Sequence, residues 1–198
     1  MMTTTQVFSL AEVARSLEFK PGFLVTRLHG RLFLGKFAEV LCALTPDQGL
    51  LVDGTGVEIL DASFADEVFG AVAAQRSEPA WKGRCFALAH LSQDNIANVA
   101  AALDSRAMHE SGLRNCVVPV LEAGEKGVLI GKAEGHVQES FALLHHQQQM
   151  TARELAEALA LDIHAASTRL KILFDLGLVT RQEMRDANGK QFVYAWPF

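Results

Sequence analysis

Between Thr151 and Arg181 the chain reads TARELAEALALDIHAASTRLKILFDLGLVTR, and this stretch constrains the fold more than any other. Thr151 is placed to cap a helix, with Glu154 three residues on as the returning member of a capping box. Leu155 and Leu159 give that helix its buried face. Asp162 caps a second helix from about Ile163 to Leu176, whose apolar stripe is Ala166, Leu170, Leu173 and Gly177. Gly177-Leu178-Val179 turns into a strand, and Gln182–Tyr194 can form a hairpin around Asn188-Gly189, a dipeptide that suits a tight turn. A preceding helix is expected over Val137–His146, with Val137, Phe141 and Leu144 on one stripe, followed by a polar turn at Gln147–Gln149. The two glycines of Gly131–Gly135 mark the start of this unit.

At 100° per residue, Thr168 and Ile172 point most directly away from the stripe of the last helix, joined by Ala165. Arg169 lies to one side of them, and Ser167 and Lys171 to the other. Arg181, Arg185 and Lys190 fall on the hairpin arms or near its tip. Phe192, Tyr194 and Trp196 alternate along the last strand and are expected to pack in the core. The Leu-Ala-x-x-Leu helix, the Ser-x-x-Leu-x-x-Leu helix and the Gly-Leu-Val turn resemble the helix-turn-helix of bacterial MarR- and ArsR-like regulators. The resemblance covers 136–196. It implies a winged helix-turn-helix that contacts duplex DNA, with Ser167, Thr168 and Arg169 near base edges. Lys171, Arg181, Arg185 and Lys190 would then meet phosphates or the minor groove. The sensing cysteines of ArsR-type proteins are absent, so no metal or other cofactor is implied.

Upstream, short apolar runs alternate with helical patterns, which implies an α/β layer structure. Strands are expected at Phe23–Thr26, Gly49–Val52, Cys85–Ala89, Cys116–Leu121 and Val128–Ile130, the last two flanking a turn at Gly124–Gly127. Helices are expected at Arg31–Leu44, from Phe64, and over about Asp94–Arg106, with a short one opened by the capping box Ser9-Leu10-Ala11-Glu12. Ser63 suits the N-cap of the Phe64 helix, with Asp66 as the acidic member of its box. LLVDGTGVEILDASFADEVFGAV and VTRLHGRLF resemble STAS-like domains, the fold of anti-sigma-factor antagonists. They are similar to a STAS-like family of poorly known function, on Thr26-Arg27-x-x-Gly30, Val52-Asp53, Val57 to Leu60 and Ser63 to Glu67. The resemblance covers roughly 20–106. It implies a STAS-like mixed sheet with helices over 1–131, followed by a C-terminal winged helix domain over 132–198. It also carries a phosphoacceptor position onto Ser63, where a phosphate would meet the helix N-terminus. Ala62 and Phe64-Ala65-Asp66 depart from the antagonists' motif.

The net charge of −5 divides unevenly. Residues 1–131 hold 11 Lys+Arg against 15 Asp+Glu, and 132–198 hold 7 against 8. A near-neutral second unit predicts modest non-specific DNA affinity and argues against a general nucleic-acid coat protein. Asp53, Asp61, Asp66 and Glu67 are expected to form a solvated acidic rim or a surface for a basic partner. Asp53-Gly54-Thr55-Gly56 lacks the length and the Lys-Ser/Thr ending of a phosphate-cradling loop. No catalytic constellation is visible, and adjacent His145 and His146 point too far apart to share an ion. No apolar run is long enough for a membrane helix, and the N-terminus does not resemble a secretory signal. Cys42, Cys85 and Cys116 lack metal or redox spacing and are expected as buried free thiols in a reducing cytoplasm. The leading expectation is a cytoplasmic, homodimeric transcription regulator that binds duplex DNA and receives a signal through a regulatory protein or Ser63 phosphorylation. The alternative is a signalling adaptor in which the STAS-like unit binds a kinase or anti-sigma partner and the winged helix serves dimerisation or docking.

Overall fold

Strand β5 (Cys85–Ala89) is buried at every position, and β6 (Cys116–Leu121) at every position but the last. A strand with one wet face alternates polar and apolar residues; these do not, so both faces of their sheet must be covered. The computed structural model describes residues 5–198 except 46, 77, 122–126, 187 and 188. Most of the expected Gly124–Gly127 turn, and Asn188 of the hairpin turn, lie outside the described residues.

The molecule is a mixed α/β fold. Its main sheet has the order β1-β3-β5-β6-β7, with β1 (Thr5–Ser9), β3 (Gly49–Asp53), β5 and β6 parallel. β7 (Gly127–Lys132) returns antiparallel to β6. The β5–β6 register runs over Leu88↔Val120 and Ala89↔Leu121, and Pro119 brings no N–H to that ladder. A separate parallel pair joins β2 (Phe23–Leu24) to β4 (Ile59–Leu60).

Side chains from alternate positions of the strands feed two cores. Phe86, Leu88, Val118 and Val120 face α1 (Leu10–Ser16), α2 (Arg27–Ala43) and α5 (Gln93–His109). The helix between β4 and β5 packs there too. It runs as α3 (Ala62–Ala65), a wider π turn over Asp66–Gly70, and α4 (Ala71–Ala74). Phe37 anchors this side, meeting Phe69 and Phe86 edge-on at 6.0 and 5.1 Å between ring centres. Ala87 and Val117 point the other way, into a core with Phe141, Leu144, Leu170, Leu173, Tyr194 and Trp196.

That second core belongs to α6 (Gly135–Gln147), β8 (Gln149–Thr151), α7 (Ala152–Leu159), α8 (Ile163–Asp175), β9 (Thr180–Asp186) and β10 (Gly189–Ala195). The three strands form an antiparallel sheet in the order β8-β10-β9. Tyr194 and Trp196 are buried and Phe192 packs beside them, as the alternation predicts. The chain end crosses the back of the main sheet. Phe198 lies where a Cβ on Gly49 would come within 2.6 Å of its ring, and Thr5 Oγ1 donates to the Pro197 carbonyl at 3.2 Å. Among the described residues no helix is long and apolar enough to cross a membrane.

Several local expectations are corrected. β1 carries a polar sequence because it is an edge strand, paired on one side only, and Val7 is exposed. α2 starts at Arg27 rather than Arg31, which shortens the strand expected at Phe23–Thr26. The helix from Phe64 instead starts at Ala62, and its cap is Asp61 rather than Ser63. Asp61 Oδ1 accepts from Phe64 N at 2.7 Å, and its other oxygen from Thr26 N at 3.0 Å. Asp66 completes no capping box and instead pairs with arginines. Gln149 is not part of a polar turn; it opens β8 and pairs with Ala195. Cys42 is exposed, on the outer side of α2, whereas Cys85 and Cys116 are buried.

Gly30, within α2, permits the close crossing of α2 over the helix after β4. A Cβ there would sit 2.7 Å from Glu67 Cβ and 3.1 Å from the Phe64 carbonyl oxygen. Neither atom is the free end of a flexible chain, so Gly30→Ala should destabilise despite the better helix propensity of alanine, by about 1–3 kcal/mol. Urea unfolding should show a lower midpoint with unchanged slope.

Candidate nucleic-acid interface

The two helices of the stretch from Thr151 to Arg181 are both fixed by their caps. Thr151 N donates to Glu154 Oε2 at 2.7 Å, and Glu154 N to Thr151 Oγ1 at 3.3 Å, the reciprocal box the sequence predicts. Asp162 Oδ1 accepts from His164 N and Ala165 N, both at 2.9 Å. The Ala165 N–H, with the other main-chain donors, holds the Asp162 carboxyl below its ordinary value. Ala160, in the left-handed region at φ 51°, reverses the chain between α7 and α8.

α8 is divided along its length. Its C-terminal half is committed to the rest of the molecule. Leu170 and Leu173 are buried, and Phe174 lies where a Cβ on Gly83 would come within 2.6 Å of its ring. Lys82 Nζ stands 3.5 Å from Asp175 Oδ1. Ile172, expected to be exposed, is instead half-buried against this core. The 100° rule places it opposite Leu170 and Leu173, but the main sheet and its loops supply a second wall on that side. The N-terminal half stays open: Ile163, His164, Ser167 and Thr168 are all exposed. Between it, the start of α7 and the hairpin lies a cleft of about 320 Å³ bordered by Arg153, His164, Ser167, Lys190 and Phe192. Sequence reasoning missed Arg153 and His164, because only the β8–β10 pairing brings the hairpin beside them.

The basic residues singled out from the sequence are taken up within the chain. Arg169 Nη1 pairs with Glu139 Oε2 of α6 at 2.6 Å, and its side chain is 22% exposed. Lys171 pairs with Asp175, one turn on. Arg181 lies over the rings of Phe174 and Phe192, at 4.3 and 4.6 Å, and so fastens β9 to α8. Arg185 and Lys190 are cross-strand neighbours near the hairpin tip, and both reach Glu183, at 3.6 and 2.7 Å. The Lys190 bond is the main reason the Glu183 carboxyl titrates lower than usual.

The other candidate region surrounds the start of α3, where Ser63 is half-buried in the first helical turn. Thr26, at φ 73°, is a β-branched residue in the left-handed region. It is held there by its N–H bond to Asp61 and by His29 N, which donates to Thr26 Oγ1 at 3.4 Å. Arg27 bridges Asp66 and Glu67 at 2.7 and 2.9 Å, and Arg31 meets Glu67 at 3.4 Å. Arg106 donates from Nε to Asp66 Oδ1 at 2.6 Å and from Nη2 to the Asp66 carbonyl at 3.2 Å. The expected acidic rim is therefore a neutralised network, because arginines of α2 and α5 converge on it. Asp53 is apart from it, bonded to Thr55 and to His90 at 2.7 and 2.8 Å. Among the described residues no three His, Cys, Asp or Glu side chains are grouped to hold a metal ion. Comparison with family models, curated proteins and solved structures gives no match to this chain.

Burial alone would raise the Asp53 carboxyl, but the bonds from Thr55 and His90 outweigh it and hold the group below its ordinary value. The folded state then binds that proton more weakly than the unfolded chain does. The stabilisation is complete above the ordinary carboxylate value of about 3.9 and is lost as pH falls through the lowered one. Asp53→Asn should flatten this part of the acid limb, measured by urea unfolding from about pH 5 down to pH 2.5.

Proposed function

We propose that the chain is a cytoplasmic transcription regulator with a STAS-like α/β unit and a C-terminal winged helix, and that it binds duplex DNA as a homodimer. The observation that carries this reading is the division of α8. Its buried end fixes the helix to the main sheet, while its open end, with Ser167 and Thr168, stands beside the β9–β10 hairpin. A helix entering the major groove by its N-terminal residues, flanked by a wing on the phosphates, has this arrangement. Arg153, His164 and Lys190 border the same cleft and add donors for a phosphate.

The in-chain ion pairs tune this surface. Phosphates must displace Glu139 from Arg169, Asp175 from Lys171, and Glu183 from Lys190 and Arg185. The pairs of Glu183 are exposed, and exposed pairs are worth about 0–1 kcal/mol each, so their displacement lowers affinity without forbidding it. Arg169, more deeply set, is the harder cation to free. Modest affinity that depends on a correctly spaced pair of half-sites, about 34 Å apart, is the expected behaviour.

The neutralised charges also favour a second reading, in which the same face docks a protein and the chain is a signalling adaptor. Ser63 serves either reading as a regulatory position. A phosphate there would compete with Asp66 and Glu67 for Arg27 and Arg31, loosening α2 from the helix after β4.

The two readings separate in a salt-dependent gel shift with genomic fragments. The Lys171→Glu/Lys190→Glu double variant should bind at least about tenfold more weakly than wild type at low salt. Glu183→Gln, which releases Lys190 and Arg185, should tighten binding and steepen the salt slope by about one to two. Equally poor binding by wild type and the double variant at low salt would remove DNA from the proposal.

A further inference from the structure

Arg76 follows α4 and is only 2% exposed. Its guanidinium lies 4.4 Å from the centre of the Phe86 ring, and Nη1 donates to the Arg84 carbonyl at 2.5 Å. Nε and Nη2 are buried and have no hydrogen-bond partner. These two nitrogens form one edge of the planar fork, the kind of edge that takes a carboxylate through two parallel bonds.

Among the described residues no carboxylate is paired with this cation. The titratable groups that act on it are the thiols of Cys85 and Cys116, at the starts of β5 and β6. Burial pushes both thiols up to about 12, so they are neutral near pH 7. Arg76 itself is pushed down to about 10 by burial. Leaving a buried ion uncompensated costs more than most single contacts return.

Arg76 also borders a cleft of about 270 Å³ between α4, residues 112–115 and the C-terminal end of α8. Ala74, Leu113, Ile172 and Leu176 give it apolar walls. Arg114 stands at its mouth, 79% exposed and only 3.8 Å from Glu134, so its cation is barely engaged. The volume lies just under the usual range for ligand sites of about 300–1,000 Å³, which favours a small occupant. The cleft carries two arginines against Asp175, which is already shared with Lys82 and Lys171.

We propose that this cleft binds a small monocarboxylate with a short apolar body. Both nitrogens are closed to solvent in this structure. On binding, the Arg76 side chain turns its Nε–Nη2 edge into the cleft to meet the carboxylate, Arg114 closes over it, and the apolar part lies against Ala74, Leu113, Ile172 and Leu176. Two of those walls belong to α8, so an occupant sets how firmly α8 sits on the main sheet. That regulatory consequence rests on the DNA-binding reading; the binding site does not.

Calorimetric titration of the full chain with sodium 4-methylpentanoate tests the site without DNA. Wild type should bind saturably, with a matching rise in thermal midpoint. Arg76→Met should abolish binding. Ala74→Leu keeps every charge and narrows the cleft, and should weaken binding at least about tenfold, equivalent to 1.4 kcal/mol. If Arg76→Met does not fold, Ala74→Leu and an Arg114→Gln variant carry the test, the latter expected to weaken binding about threefold or more. The proposal is overturned by no saturable binding to wild type, by undiminished binding to Ala74→Leu, or by equal affinity for sulfate at matched ionic strength. A positive titration with no effect on a gel shift would keep the site and remove its link to DNA.

Discussion

The main-chain groups of β5 and β6 are cut off from water on both faces, and the rest of the chain is arranged around that condition. A parallel sheet needs crossover helices, and α2, α5 and the helix after β4 supply them on one face. Those helices cannot reach the other face, where Ala87 and Val117 would stay wet. The residues after β7 fill that side from Phe198 over Gly49 to Phe174 over Gly83. The helices and hairpin that form the candidate interface thus also complete the core of the sheet in front of them.

This double duty explains the division of α8. One helix cannot present all its length to a partner and also cover a sheet. Leu170, Leu173 and Phe174 serve the sheet, and Ile163 to Thr168 are left for a partner. It also explains why Arg181 is absorbed between two rings: Phe174 of α8 and Phe192 of β10 both face it, and the contact ties the hairpin to that helix.

Much of this was legible in the sequence. The α/β alternation, the caps at Thr151 and Asp162, and the three helices and hairpin after Gly135 follow from local rules of spacing and capping, whereas β8 does not. The failures share a cause: they are decided by partners distant in the chain. Ile172 looked exposed because helical geometry knows only one wall, and the second wall comes from residues around 73–76 and 113–115. Ser63 lost the cap to Asp61 because Asp61 also holds Thr26, 35 residues earlier. Arg169 looked like a free cation because its partner Glu139 lies on another helix. Lys171 is the exception, since Asp175 stands four residues on in the same helix and was legible as its partner. The acidic residues 53–67 looked like a rim for the same reason. One missed signal was present throughout: CFALA and CVVPVL have no polar face, which already demanded a covering layer on each side.

Pro119 gives the sheet an internal grain. The strands β1, β3 and β5 are bonded in register along their length, and β6 and β7 likewise, but β5 and β6 share a short ladder. Mechanically the sheet is two plates joined along a seam. Cys85 and Cys116 flank its loose end, with Arg76 set beside them. Local opening should follow that line, so within β5 and β6 amide exchange would be faster along their facing edges near Cys85 and Cys116 than at Leu88–Ala89 and Val120–Leu121, where the ladder is bonded. α8, spanning the back of both plates, is the element that such an opening would move.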